Sequence, residues 1–294
     1  MRNFRLLAAL ALVAIPLLAV AQQDLSKVEI KASALRGGTH MLTGAGGNMV
    51  ASTGADGTFL IDDQFAPLSD RIRAALSTLS DKPLRFVVNT HWHGDHTGGN
   101  ENLGKAGAVI VAHDNVRKRM SVGQLLRGSQ VPAAPGAALP VVTFASNLTL
   151  HLNGDDVRVQ HVAHAHTDGD AVVKFARANV LNMGDVYFNG LYPFIDAESG
   201  GSIDGLLAAV EQGLALSDDA TLVVPGHGPV SNRAELARYG AMLKGYRERI
   251  AGMKAEGKTL AQVIAAKPTA TTDALLGKAF IKPDQLVRSI YETL

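Results

Sequence analysis

A single short segment sets the terms for this chain: His91-Trp92-His93-Gly94-Asp95-His96, which the apolar run Leu84 to Asn89 enters through Thr90. The run reads as a buried strand. Alternate side chains of an extended segment share a face, so His91 and His93 can grip one cation. Gly94 then turns the chain, and Asp95 and His96 face a second cation close by. Imidazole nitrogen and carboxylate oxygen bind zinc at about 2.0–2.2 Å. A histidine-rich surface loop is the plain alternative, but it does not account for four donors gathered at a strand end.

Two ions need further ligands, and the chain supplies donors at other strand ends. His166 sits in Ala165-His166-Thr167-Asp168-Gly169-Asp170, Asp185 in Met183-Gly184-Asp185, and His227 in Pro225-Gly226-His227-Gly228. Glycine beside such a donor lets backbone approach a site closely. The sequence has no cysteine. Disulfides, a thiol nucleophile and thiolate zinc ligands are therefore excluded, and any metal is held by nitrogen and oxygen.

The remaining patterns describe one domain. Residues 1–21 have the form of an export leader. Arg2 and Arg5 precede an apolar run from Leu6 to Val20, and Ala19-Val20-Ala21 ends it with small residues. Cleavage after Ala21 predicts a periplasmic or secreted chain of residues 22–294, with no membrane attachment afterwards. Short strands are expected at 37–42, 48–52, 58–61, 84–89, 108–112, 148–152, 157–162, 171–175, 180–183 and 221–224. The pair around Asn153-Gly154 forms a hairpin. Ser69 is expected to cap a helix to Leu79, residues 203–216 form another, and a helical extension runs from about 231 to 294. Residues 131–140 are expected to be a long loop. With 28 basic and 27 acidic residues, the charge balance gives no reason to expect a nucleic-acid partner. A small-molecule substrate is expected.

Taken together, His91-Trp92-His93-Gly94-Asp95-His96, His166, Gly184-Asp185 and His227 resemble the signature of the metallo-β-lactamase superfamily. The resemblance implies an α/β fold, a four-layer αβ/βα sandwich, here with C-terminal helices. It implies that His91, His93 and His166 hold one zinc, that Asp95, His96 and His227 hold another, and that Asp185 bridges the two. The zinc β-lactamases with a cysteine ligand carry it where this chain has Asp185. Three residues further on they carry a lysine, where this chain has Phe188. Asp185 is closer to the glyoxalase II-like and lactonase-like members.

The expected chemistry is hydrolysis by a zinc-activated hydroxide, with Asp95 as the catalytic residue that orients it and carries a proton. β-Lactam ring opening is the leading named activity. The alternatives are a lactonase or thioesterase of the same fold, or a non-catalytic periplasmic zinc-binding protein. Asp62 is expected to support a ligand histidine. Tyr187, Phe188, Asn189, Tyr192 and Phe194 are expected to contact substrate, Gly44 to Asn48 to form a mobile flap, and Trp92 to pack in the core. His164 is a weaker candidate to line the site. His40, His113, His151 and His161 lack ligand partners at useful spacing.

Overall fold

The computed structural model describes residues 24–294; the expected export leader lies outside them. Six strands open the chain: β1 (Lys31–Ala34), β2 (Thr39–Thr43), β3 (Met49–Gly54), β4 (Gly57–Ile61), β5 (Leu84–Val88) and β6 (Val109–His113). A separate hairpin follows, of β7 (Gln124–Leu126) and β8 (Ser129–Val131), and then β9 (Val142–Phe144). Among the described residues the first sheet runs β1-β2-β3-β4-β5-β6-β9. It is antiparallel as far as β4 and parallel from β4 to β9.

The second sheet is built from β10 (Asn147–Leu152), β11 (Asp155–His161), β12 (Ala171–Phe175), β13 (Val180–Asn182), β14 (Leu222–Val224) and β15 (Ser231–Asn232), in that order. Its pairs are antiparallel except β13 with β14. At the β10–β11 turn, Asn153 and Gly154 both have positive φ, 53° and 71°. That is the geometry a two-residue hairpin requires, and Asn-Gly adopts it at little cost.

Alternation along the strands decides the layers. Met41, Val50 and Ile61 point inward and meet Val157, Val159, Val173 and Phe175 of the other sheet. Their neighbours Leu42, Met49, Ala51 and Leu60 face the opposite way. There they meet Ile72 and Leu76 of α1 (Ser69–Leu79). Period-two patterning therefore supplies both an inter-sheet core and an outer helical layer. The second sheet is covered by α5 (Ile203–Ala215), which follows the short helices α2 (Gly94–Thr97), α3 (Asn100–Lys105) and α4 (Asp114–Met120), and by α6 (Arg233–Ala255). The chain ends in α7 (Leu260–Ala265), α8 (Ala270–Leu276) and α9 (Pro283–Glu292). Leu286, Val287 and Ile290 of α9 join the core beneath α6. The architecture is the expected four-layer sandwich with C-terminal helices.

Two local readings are corrected. Ser69 is the first helical residue rather than a side-chain cap, and its hydroxyl donates to the Ala66 carbonyl. Residues 131–140 are not one loop, because Val131 closes β8 and Gly136–Ala138 forms a helical turn. The β7–β8 hairpin was hidden because its turn is Arg127-Gly128, with φ 51° and 74°. Arginine is an uncommon residue in the left-handed region. Among the described residues no helix is long and apolar enough to cross a membrane.

Candidate metal centre

Parallel strands bring their carboxyl ends to one edge of a sheet, where loops can build a site. Asp62 follows β4, the His91–His96 segment follows β5, Asp185 follows β13 and His227 follows β14. His166 lies in the loop leading into β12, which runs antiparallel to β13 and so starts at the same edge. The seven side chains expected to ligate metal meet there. Their donor atoms form three overlapping groups, His91/His93/His166, His91/His96/Asp185 and Asp95/His96/His227, each with its atoms within 4.8 Å of one another.

Four of the five donor histidines have partners for their outer nitrogens. His166 Nδ1 lies 2.7 Å from the Phe194 carbonyl, which only accepts, so that nitrogen carries the proton. His93 Nε2 lies 2.9 Å from Asp196 Oδ2, and His96 Nδ1 lies 2.9 Å from Asp62 Oδ2. Asp62 also accepts from Thr90 N at 2.7 Å and from Thr90 Oγ1 at 2.8 Å, and that hydroxyl oxygen is 3.1 Å from His91 Nδ1. With their outer nitrogens held by these partners, the rings turn their inner nitrogens toward one another. His166 Nε2 and His93 Nδ1 face each other at 2.8 Å. The buried His91 Nε2, His96 Nε2 and Asp185 Oδ1 have no hydrogen-bond partner. Unpartnered buried polar atoms are costly. A cluster of converging lone pairs and carboxylates relieves that cost by taking up cations, so the donor set fits metal ions.

Asp185 occupies the centre. Its Oδ2 lies 3.6 Å from His166 Nε2, 4.0 Å from His91 Nε2 and 3.5 Å from His227 Nε2, and its Oδ1 lies 3.1 Å from His96 Nε2. Gly226 makes room for it, since a Cβ there would come within 2.0 Å of Asp185 Oδ1. Charge is divided unevenly between the groups. Burial and the neighbouring imidazoles hold His91 well below its usual range, and burial with His93 pushes His166 down to about 4. Burial also opposes charge on His227, but Asp185 and Asp95 outweigh it and push that imidazole up to about 9. Burial works against the Asp95 carboxylate too, yet His96 and His227 hold it down to about 2. The Asp95 and His227 side chains are 29% and 26% exposed, so this group faces the cleft.

Several expected roles shift. Phe188, Tyr192 and Phe194 line a cavity of about 600 Å³ beside the cluster. Tyr187 and Asn189 do not: Tyr187 is buried with its hydroxyl against Ser231 Oγ, and Asn189 bonds the Pro229 carbonyl. His164 is exposed and bonds the Gly200 carbonyl, away from the cavity. Gly44 to Asn48 is tied down rather than free: Gly47 N donates to the Asp95 carbonyl, and Asn48 N donates to the Gly226 carbonyl. A Cβ on Gly47 would strike the His96 ring at 2.1 Å. Trp92 packs among Ala112, Val116 and Met120 and also walls the cavity. Asp170 accepts from the backbone of His166 and Thr167 and so braces the His166 loop. Asp196 was missed by sequence reasoning. It lies 103 residues from His93 in a turn with no ligand-like pattern.

Residues 43–227 match the family model described as the metallo-beta-lactamase superfamily. A hydroxyacylglutathione hydrolase of Nitrosococcus oceani is 29% identical over 171 residues, which cover 56% of this chain and 57% of that protein. The chain thus spans little more than half the length of that curated relative. A metallo-β-lactamase from Pontibacter korlensis superposes with a TM-score of 0.61 at 19% identity, covering 74% of this chain and 99% of that one. A stereoselective inverting sec-alkylsulfatase from Pseudomonas sp. gives 0.64 at 18% identity, over 90% of this chain and 50% of the other. At such identities the two structures speak for the fold.

Proposed function

Because the chain belongs to the metallo-β-lactamase superfamily, we propose that it is a zinc-dependent hydrolase that uses two ions to cleave an acyl bond in a small molecule. One observation carries the reading: His91 and His96 turn unpartnered ring nitrogens toward Asp185, the inner nitrogens of His93 and His166 face each other beside them, and hydrogen bonds fix the outer nitrogens of all four rings. His91, His93 and His166 would hold one ion, and Asp95, His96 and His227 the other, with Asp185 reaching both. When bound, such ions polarise a carbonyl and lower the pKa of water to about 7.

The chain's own residues supply the remaining functions. Asp62 and Asp196 fix the rings of His96 and His93, which sets where their inner nitrogens sit. Asp95, ionised and on the cleft side, is placed to take a proton on Oδ2 and return it to the leaving group. Phe65, Trp92, Phe188 and Phe194 give the cavity an apolar wall beside the donors, and a lower local dielectric strengthens charge interactions there.

β-Lactam opening is the named activity that the fold supports. Thioester hydrolysis is the second reading, favoured by the 29% identity to a hydroxyacylglutathione hydrolase. Metal analysis and a panel of a chromogenic cephalosporin, a carbapenem, a homoserine lactone and a glutathione thioester test both. Two equivalents of zinc with turnover of one class is the expected result. A chain that binds no metal would overturn the proposal. We also propose that the enzyme acts outside the cytoplasm, from the leader read over residues 1–21. An exported chain beginning at Gln22 is the expected product.

A further inference from the structure

The rim of the cavity carries a cation that the proposed chemistry does not use. Arg127 sits at the tip of the β7–β8 hairpin, with its backbone in the left-handed region at φ 51°. Its guanidinium lies 4.6 Å from the ring centroid of Phe280 and 5.9 Å from that of Phe194. Those two rings meet edge to face at 6.0 Å, and Phe194 stacks on His93 at 5.8 Å. One aromatic ring therefore separates the arginine from a histidine of the floor.

Among the described residues Arg127 makes no hydrogen bond or ion pair. Glu198 and Glu292 border the neighbouring cleft, and neither pairs with it. Arg119, by contrast, is occupied by Asp168 at 2.6 Å. Among the described residues, and apart from histidine, Arg127 is the one cationic side chain lining the cavity, whose other walls include Phe65, Leu126, Val131, Leu191, Tyr192 and Phe280. A planar guanidinium held on aromatic faces keeps its N–H fork free for a carboxylate, the geometry arginine recognises best.

We propose that Arg127 is a specificity-determining residue that selects acyl substrates with an apolar body and a carboxylate beyond it. The apolar part lies along Phe188, Leu191 and Phe194, the scissile carbonyl meets the floor, and the carboxylate pairs with Arg127. This rests on the acyl-hydrolase reading of the same cleft.

The test compares a matched pair, a carboxylate-bearing acyl substrate and its methyl ester, on the zinc-loaded full chain. The wild type is expected to prefer the acid in kcat/KM by about tenfold or more, the range of a hydrogen-bonded charge pair. In Arg127→Gln the preference should collapse toward parity, mainly through KM for the acid. Arg127→Lys should restore part of it, because the charge remains and the fork is lost. Unchanged zinc content and melting temperature would show that the variants fold. Turnover of the pair with the same acid-to-ester preference in wild type and Arg127→Gln overturns the role of Arg127 alone. No turnover of either member, nor of any other acyl substrate, by zinc-loaded wild type overturns the acyl-hydrolase reading and this assignment with it.

Discussion

The floor of the cleft hangs on strand ends, and its rim hangs on a hairpin and the helical C-terminal region. On the floor, His91, His96 and His166 are almost wholly buried, and each outer nitrogen has a fixed partner. On the rim, Arg127 is exposed and Phe280 is 56% exposed. Phe280 comes from the connection between α8 and α9, far in sequence from every donor. The contrast separates two tasks. The floor sets what chemistry is possible, and small displacements there are expensive. The rim sets what enters, and its side chains can change while the rest of the fold stands.

That division can be broken by experiment. The largest effect is expected from His96→Ala, which removes a donor at the centre of the floor. Turnover on any working substrate should fall by about three orders of magnitude or more, the several kcal/mol a metal supplies. Unchanged turnover would sink the mechanism. Chelation should come next: loss of activity and a lower melting temperature, both restored by zinc. Ligand at about a thousand times its Kd stabilises a fold by about 4 kcal/mol. A melting curve indifferent to chelator would mean that the floor is preorganised by the protein alone.

Smaller effects test the supports. Asp62→Ala should weaken metal binding by about 10–100-fold, because His96 loses the carboxylate that orients it. Asp196→Asn should do the same for His93 to a lesser degree, since the amide oxygen can still accept. Competition with a metal indicator would measure both, and equal affinity in Asp62→Ala would remove that residue from the floor. Phe280→Ala is the mildest. KM should rise a few-fold, more than kcat falls, because a half-exposed ring contributes about 1 kcal/mol of binding. A collapse of kcat would show that the rim takes part in the chemistry, and the division would fail.

The same contrast governs what could be read from the sequence. The floor was legible because its donors sit where strands end, and strands announce themselves by apolar runs: Leu84 to Asn89 before His91, Val180 to Met183 before Asp185, and residues 221–224 before His227. Asp62 was legible for the same reason. Asp196 was not, because it stands in a turn whose pattern gives no hint of His93, 103 residues away. The rim was harder still. Arg127-Gly128 is an unusual hairpin turn, so β7 and β8 gave no strand signal. Phe280 lies among helices without a chemical motif, and only tertiary packing brings it to Phe194. Tyr187 shows the converse error. It follows Asp185 closely, yet its ring turns into the core toward Tyr239.

The contact between Arg127 and Phe280 has one more consequence. It joins two pieces of the molecule that carry none of the seven donors, one from the middle of the chain and one from near its end. Substitutions in either piece would retailor the entrance while the metal donors keep their places.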